Sequence, residues 1–244
     1  MNMKSNKIRL SALFMAVVMC FANYSFACTN FLITKGASKD GSTMVTYAAD
    51  SHTLYGELYY NRAAQYPEGT MIQVIDWDSG KPLIQIPQVA NTYTTVGNMN
   101  QWGLAIAETT YGGREELVDT TGGIDYGSLI YLTLQRAKNA REAIKQIAEF
   151  VDTYGYYSSG ESFSIIDENE VWIMELIGKG APVYNKKGKI DKRWTKGAVW
   201  VAMRVPDGYI SGHANHARIT TFAQETKGSY KSISSKKIKE IFRP

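Results

Sequence analysis

The chain is poor in cysteine and histidine, with two and three of them in 244 residues. A disulfide-stapled scaffold and a zinc ribbon are excluded on that count. An excess of one charge is also lacking. The formal net charge is +4, and three of the cations, Lys4, Lys7 and Arg9, fall within residues 1–27, which hold no acid. The remainder is close to neutral, so nothing marks a nucleic-acid partner. No glycine-rich phosphate loop and no G-x-S-x-G elbow occurs. There is no internal repeat and no low-complexity linker. What is present suits one globular domain: 44% hydrophobic, 20% charged and 12% aromatic residues, enough apolar surface for a sizeable core.

The first 27 residues read as an address. Three basic residues precede the apolar run 10–22, LSALFMAVVMCFA, and small residues precede Cys28. Basic start, short apolar run and small residues at the cut are the layout of a secretory signal. Ser25 and Ala27 stand three and one positions before a cut after Ala27. The run is well short of the roughly 20 residues that a bilayer-spanning helix needs. The expectation is a cleaved signal over 1–27 and an exported mature chain (periplasmic, cell-surface or secreted) without a membrane span. Cys20 leaves with the signal, and Cys28 becomes both the first residue and the only cysteine.

Position alone leaves three readings of Cys28 open. It is a lipid attachment site, a nucleophile freed by the cut, or incidental. Ser25-Phe26-Ala27 fits a lipoprotein signal poorly, because the residue three before the cysteine is usually aliphatic. An N-terminal cysteine carries its own base, since an α-amine titrates near pH 7.7–8.0 and accepts the thiol proton.

Along the mature chain, CTNFLITK and STMVTYAAD flank the turn Ser38-Lys39-Asp40-Gly41 and predict a hairpin over 28–49. Strand-like runs follow at GELYYN, TMIQVID, TYTTVGNM and GLAIAET. Residues 127–137 then carry an apolar helical pattern. Ala143, Ile144, Ile147, Ala148 and Val151 form a second helical stripe over 140–154, with Asn139 as its cap and Glu142 three residues on. Strands resume at SFSIID, VWIMELI and AVWVAMRV. Strands, two helices and strands again suggest two packed sheets with helices outside.

The residues also carry a resemblance. Cys28-Thr29-Asn30-Phe31 with Lys35-Gly36-Ala37-Ser38-Lys39-Asp40-Gly41-Ser42-Thr43 resembles the start of the secernin-type dipeptidases, in the N-terminal-nucleophile hydrolase superfamily. Tyr47-Ala48-Ala49-Asp50-Ser51-His52 is similar to the segment where the superfamily places an active-site acid. Trp200 to Asp207 and Gly212 to Ile219 resemble the family's later signature. The resemblance covers about 28–220.

It implies an α+β fold, a four-layer αββα sandwich, over a domain 28–244. The dipeptidases it resembles are longer, so the domain is expected to be truncated and incomplete at its C-terminus. It implies hydrolysis of short peptides, dipeptides first, by a Cys28 thiol through a thioester, with no cofactor and no metal. Acyl amides of the penicillin or bile-salt type are the second substrate class, and a lipid-anchored non-enzyme is the runner-up. Asp50 would orient the Cys28 amine. Asn215 and Thr109 would contact oxyanion or substrate, with Glu108 and Thr110 as neighbours in the alignment. Many superfamily members have an arginine three residues before the acid; here it is Tyr47. Arg218 is expected to meet a substrate carboxylate, Asp50 or a structural partner. His213 and His216 have an H-x-x-H spacing without a third ligand. The lysines from 227 to 239 read as a solvated face.

Overall fold

The computed structural model describes residues 28–50, 56–221 and 232–235. The signal expected over 1–27, His52 and most of the basic tail lie outside the described residues. In chain order the strands are β1 (Cys28–Ile33), β2 (Met44–Ala49), β3 (Tyr60–Asn61), β4 (Met71–Ile75), β5 (Pro82–Pro87), β6 (Thr95–Val96), β7 (Met99–Asn100) and β8 (Ala105–Gly112). Helices α1 (Tyr126–Leu134) and α2 (Ala140–Tyr154) follow. Then come β9 (Gly160–Ile166), β10 (Val171–Gly178), β11 (Ala198–Arg204), β12 (Ile210–Ala214) and β13 (Ser232–Ser234).

The helices start where side chains replace missing backbone acceptors. Asp125 accepts from the amides of Gly127 and Ser128 at the head of α1. Asn139 accepts from Glu142 N at 2.9 Å, and Glu142 accepts from Lys138 N at 2.8 Å, at the head of α2. Each such cap stabilises a helix by about 1 kcal/mol. The expected stripe of α2, Ala143 to Val151, is buried. Gly155, with φ +80°, ends the helix in a conformation that disfavours other residues.

Three sheets result: a large one in the order β13-β11-β10-β9-β8-β7-β6-β3, a small one in the order β12-β1-β2, and the hairpin β4-β5. Alternation along the strands divides the large sheet into two faces. Phe163, Ile165, Trp172, Met174 and Leu176 belong to the main core with α1 and α2. Ala105, Val171 and Ile173 point the other way, onto Leu32 of β1. Helices, large sheet and small sheet thus stack in that order, an α+β arrangement. The outward face of the small sheet leaves Phe31 50% and Ile210 61% exposed. Among the described residues no helix covers it, so a fourth layer is not part of the described structure.

The expected hairpin forms, with Cys28 opposite Ala49 and Asn30 opposite Tyr47. Some expected strands shrink: GELYYN keeps only Tyr60–Asn61, and TYTTVGNM becomes the pair β6 and β7 about Gly97. Three strands escape the sequence reading: β5, β12 and, within the basic tail, β13. β5 begins and ends in proline, and β12 (ISGHA) contains glycine and histidine. β7 meets β8 only at Met99↔Ala105. Asn98 extends the contact, accepting from Ile106 N and donating to Ile106 O at 2.8 Å. From there to Gly112 the edge of β8 is free of β7, and that edge positions the site.

Candidate active site

Cys28 opens β1, the middle strand of the small sheet. Asn30 donates to Ser164 Oγ on β9 at 3.0 Å, so the Cys28–Asn30–Leu32 side of β1 faces the large sheet. Pairing of Cys28 with Ala49 brings the next residue, Asp50, beside it, near enough for its backbone N–H to favour the thiolate. Burial pushes the Cys28 thiol up, and the Glu108 charge pushes it further; the Asp50 N–H and the Asn215 side chain pull it down.

Asn215 follows directly on β12. Its Nδ2 donates to the carbonyl of Thr110 at 2.5 Å, and its Oδ1 accepts from the nitrogen of Cys28. The amide orientation is fixed by this pair, because a carbonyl only accepts and Oδ1 must then face Cys28. The Thr110 carbonyl is available for a structural reason. Ile106 uses its N–H and C=O toward Asn98, and two-residue alternation aims those of Glu108 and Thr110 at the same open edge. Behind Asn215, Glu175 of β10 accepts from the backbone N–H groups of Arg218 and Ile219, at 2.5 and 3.1 Å, and pins the segment.

Tyr47 reaches from β2 and donates to Glu108 Oε1 at 2.5 Å. Glu108 and Glu161 lie diagonally on neighbouring strands and within hydrogen-bonding reach of each other. Thr110 Oγ1 donates to Glu161 Oε2 at 2.9 Å. Desolvation pushes both carboxyls up, Glu161 most of all. Tyr47 is pushed up as well, by burial and then by the Glu108 charge, and stays a neutral donor.

The structure therefore brings Cys28, Asp50 and Asn215 together. Thr109 sits one residue before Thr110, wholly buried, on the face of β8 that looks toward β1. Its hydroxyl has no hydrogen-bond partner, nor has that of Ser162, its neighbour across the ladder. Arg218 is exposed, and its guanidinium donates to Gly212 O at 3.4 Å. His213 is buried between the sheets with Nε2 at 3.2 Å from Ser164 Oγ, while His216 is exposed. No group of three or more metal-ligating side chains gathers among the described residues. No described helix is long and apolar enough to cross a membrane; strands are not covered by that statement.

Sequence reasoning named Glu108 and Thr110 only as neighbours of Thr109 and missed Glu161. The available signal was an acid inside an otherwise apolar or small-residue strand, AIAETT and GESFSII, without a cation nearby in sequence.

Comparison with known proteins gives a consistent answer. The sequence profile described as Peptidase family C69 matches residues 27–243. Probable dipeptidase A of Streptococcus pyogenes serotype M18 is 27% identical over 223 residues, covering 81% of this chain and 41% of the relative. Dipeptidase A of Lactobacillus helveticus is 26% identical over 231 residues, covering 86% and 44%. A probable dipeptidase of Latilactobacillus sakei is 24% identical over 211 residues, covering 79% and 40%. The chain spans about two fifths of the length of these curated relatives.

Proposed function

The chain belongs to peptidase family C69, and from that premise we propose that it is an exported dipeptidase whose nucleophile is Cys28, set free by removal of residues 1–27. The observation that carries this reading is the hydrogen bond from the Cys28 nitrogen to Asn215, fixed from behind by Thr110. A residue whose nitrogen is held as carefully as its thiol suits a nucleophile that supplies its own base. The α-amine takes the thiol proton, Sγ attacks the carbonyl carbon, and the amine returns the proton to the leaving amine. Water then hydrolyses the thioester. Thr109 Oγ1, buried and unpaired, and the second amide hydrogen of Asn215 are the donors offered to the oxyanion. Asp50, beside Cys28, orients the amine.

The charge pattern favours dipeptides over acyl amides. The groups that act on the thiol electrostatically are the acids Glu108 and Asp50. In an α-aminoacyl substrate one carbon separates the ammonium from the attacked carbonyl, so the cation lies in their field. Arg218, exposed three residues past Asn215, is the group for the far carboxylate. A panel of dipeptides, N-acetylated dipeptides and penicillin-type amides tests the assignment. Free dipeptides should be cleaved best, with N-acetylation lowering kcat/KM by about 10–100-fold. Faster cleavage of the neutral acyl amides would overturn the substrate class. Intact mass of the exported protein tests the start: an unmodified N-terminal cysteine supports the nucleophile, and a diacylglyceryl increment supports a lipid anchor instead.

A further inference from the structure

Glu108 and Glu161 stand out among the described buried acids. They are 3% and 0% exposed. The titratable groups facing them are Cys28 on β1, Tyr47 on β2, Asp78 in the turn after β4, Tyr111 on β8, Tyr126 on α1 and Tyr156 after α2. None of these side chains is a cation. Two carboxylates so placed do not both ionise, and the pair keeps one proton.

The oxygens tell the same story by a separate route. Glu108 Oε1 accepts from Tyr47, Glu161 Oε1 from Ser162 N at 3.2 Å, and Glu161 Oε2 from Thr110 at 2.9 Å. The fourth oxygen, Glu108 Oε2, is buried without a fixed donor. It is the acceptor for the pair's one proton, which stays on Glu161, the carboxyl that burial pushes up most, so that the charge is left on Glu108. Two threads of hydrogen bonds leave the pair toward Cys28, and one of them reaches it. One passes through the Thr110 residue to Asn215 and the Cys28 nitrogen. The other ends at Tyr47, diagonal to Cys28 across β1 and β2.

We propose that Glu108 and Glu161 are positioning residues for Cys28: Glu161 anchors the Thr110–Asn215 arm that orients the nitrogen, and Glu108 carries the single negative charge that faces the nucleophile. The charge matters at one step. When the thiol proton moves to the amine, the S–H bond breaks, an N–H bond forms, and the nitrogen becomes an ammonium. A fixed negative charge nearby favours that ammonium and opposes early loss of the proton to solvent.

This rests on the reading of Cys28 as nucleophile, so the test uses a measurement that needs no turnover. Iodoacetamide alkylation of Cys28 is followed by mass across pH in the Cys28-initiated protein, alongside dipeptide hydrolysis. Glu108→Gln should move the alkylation midpoint down by about one pH unit, because a like charge is removed from the thiolate. Glu161→Gln keeps the charge on Glu108 and an acceptor for Thr110, and should leave the midpoint where it is. Glu161→Ala should lower kcat by about 10–100-fold with little change in KM, and Glu161→Gln should restore most of it. An unmoved midpoint in folded Glu108→Gln overturns the proposal. So does an equal shift in Glu161→Gln, the variant that also decides the matter if Glu108→Gln does not fold. If the midpoints behave as expected but no form cleaves any amide, the pair stands and the nucleophile reading falls.

Discussion

At the centre of the large sheet Phe163, Ile165 and Trp172 have no exposed surface and lie against α1 and α2. At the open edge of β8, a few residues along the same ladder, Thr109 and Glu161 are as deeply buried. Depth does not tell these regions apart; the gathering of polar side chains does. The apolar atoms of the centre need no partners, whereas Thr109 Oγ1, Ser162 Oγ and Glu108 Oε2 lack fixed ones. Such a buried polar group costs about 1–3 kcal/mol, and departures of this kind concentrate where proteins act. The centre is apolar, and the edge gathers buried polar groups around the candidate site at a cost in stability.

Cys28→Ala should break the comparison most sharply. Dipeptide hydrolysis should fall by about 10⁴-fold or more, while the thermal midpoint stays within about 2 °C of the parent. A residual rate near the parent value would remove Cys28 from the mechanism. Phe163→Ala works at the other pole. It opens a cavity in the centre and should cost about 3–5 kcal/mol in urea unfolding, with the activity of the remaining folded fraction little changed.

A smaller effect separates the two regions by pH. His213 lies between the sheets, and burial, then Arg218, hold its imidazole down to about 4. The unfolded imidazole titrates near 6.5. Between those values the unfolded chain binds a proton that the folded chain refuses. The stability tied to neutral His213 is therefore complete above pH 6.5 and is lost as pH falls toward 4. Unfolding free energies from urea titrations at pH 7 and 4.5 should differ by about 1–3 kcal/mol more in the parent than in His213→Gln. Equal differences would show that His213 does not carry the effect. Phe31→Thr, on the outward face of the small sheet, should move stability by no more than about 0.5 kcal/mol; a loss of several times that would mean the face is covered.

The parts of the fold that were legible in the sequence are those whose pattern is local. The hairpin 28–49 shows its turn and its β-branched residues, and α2 shows its stripe and its Asn139 cap. β5 and β12 were not legible, because proline at both ends of one and Gly212 within the other break the pattern, and pairing with distant strands decides their state. The site divides the same way. Cys28 stands out by position after a leader-like segment, and Asp50 and Asn215 through a resemblance. Glu161 has no motif. Its meaning arises from lying diagonal to Glu108 on the neighbouring strand, a relation that linear spacing does not contain. Thr110 matters through its carbonyl, which every residue has, and only the short β7 leaves that carbonyl free.

The nitrogen of Cys28 and its partner Asn215 are 187 residues apart. β1 sits between β2, its neighbour in sequence, and β12, one of the last described strands. The hairpin with β2 closes over a short loop, but the other side of β1 waits until β12 has been made. Contacts of such separation form late and slowly, because the loop must close before they give anything back. Cys28 is thus made well before Asn215, and the pair between them closes only after β12 has been made. A growing chain that has not reached Asn215 carries Cys28 without the partner of its nitrogen, so the arrangement around Cys28 arrives as a late product of folding.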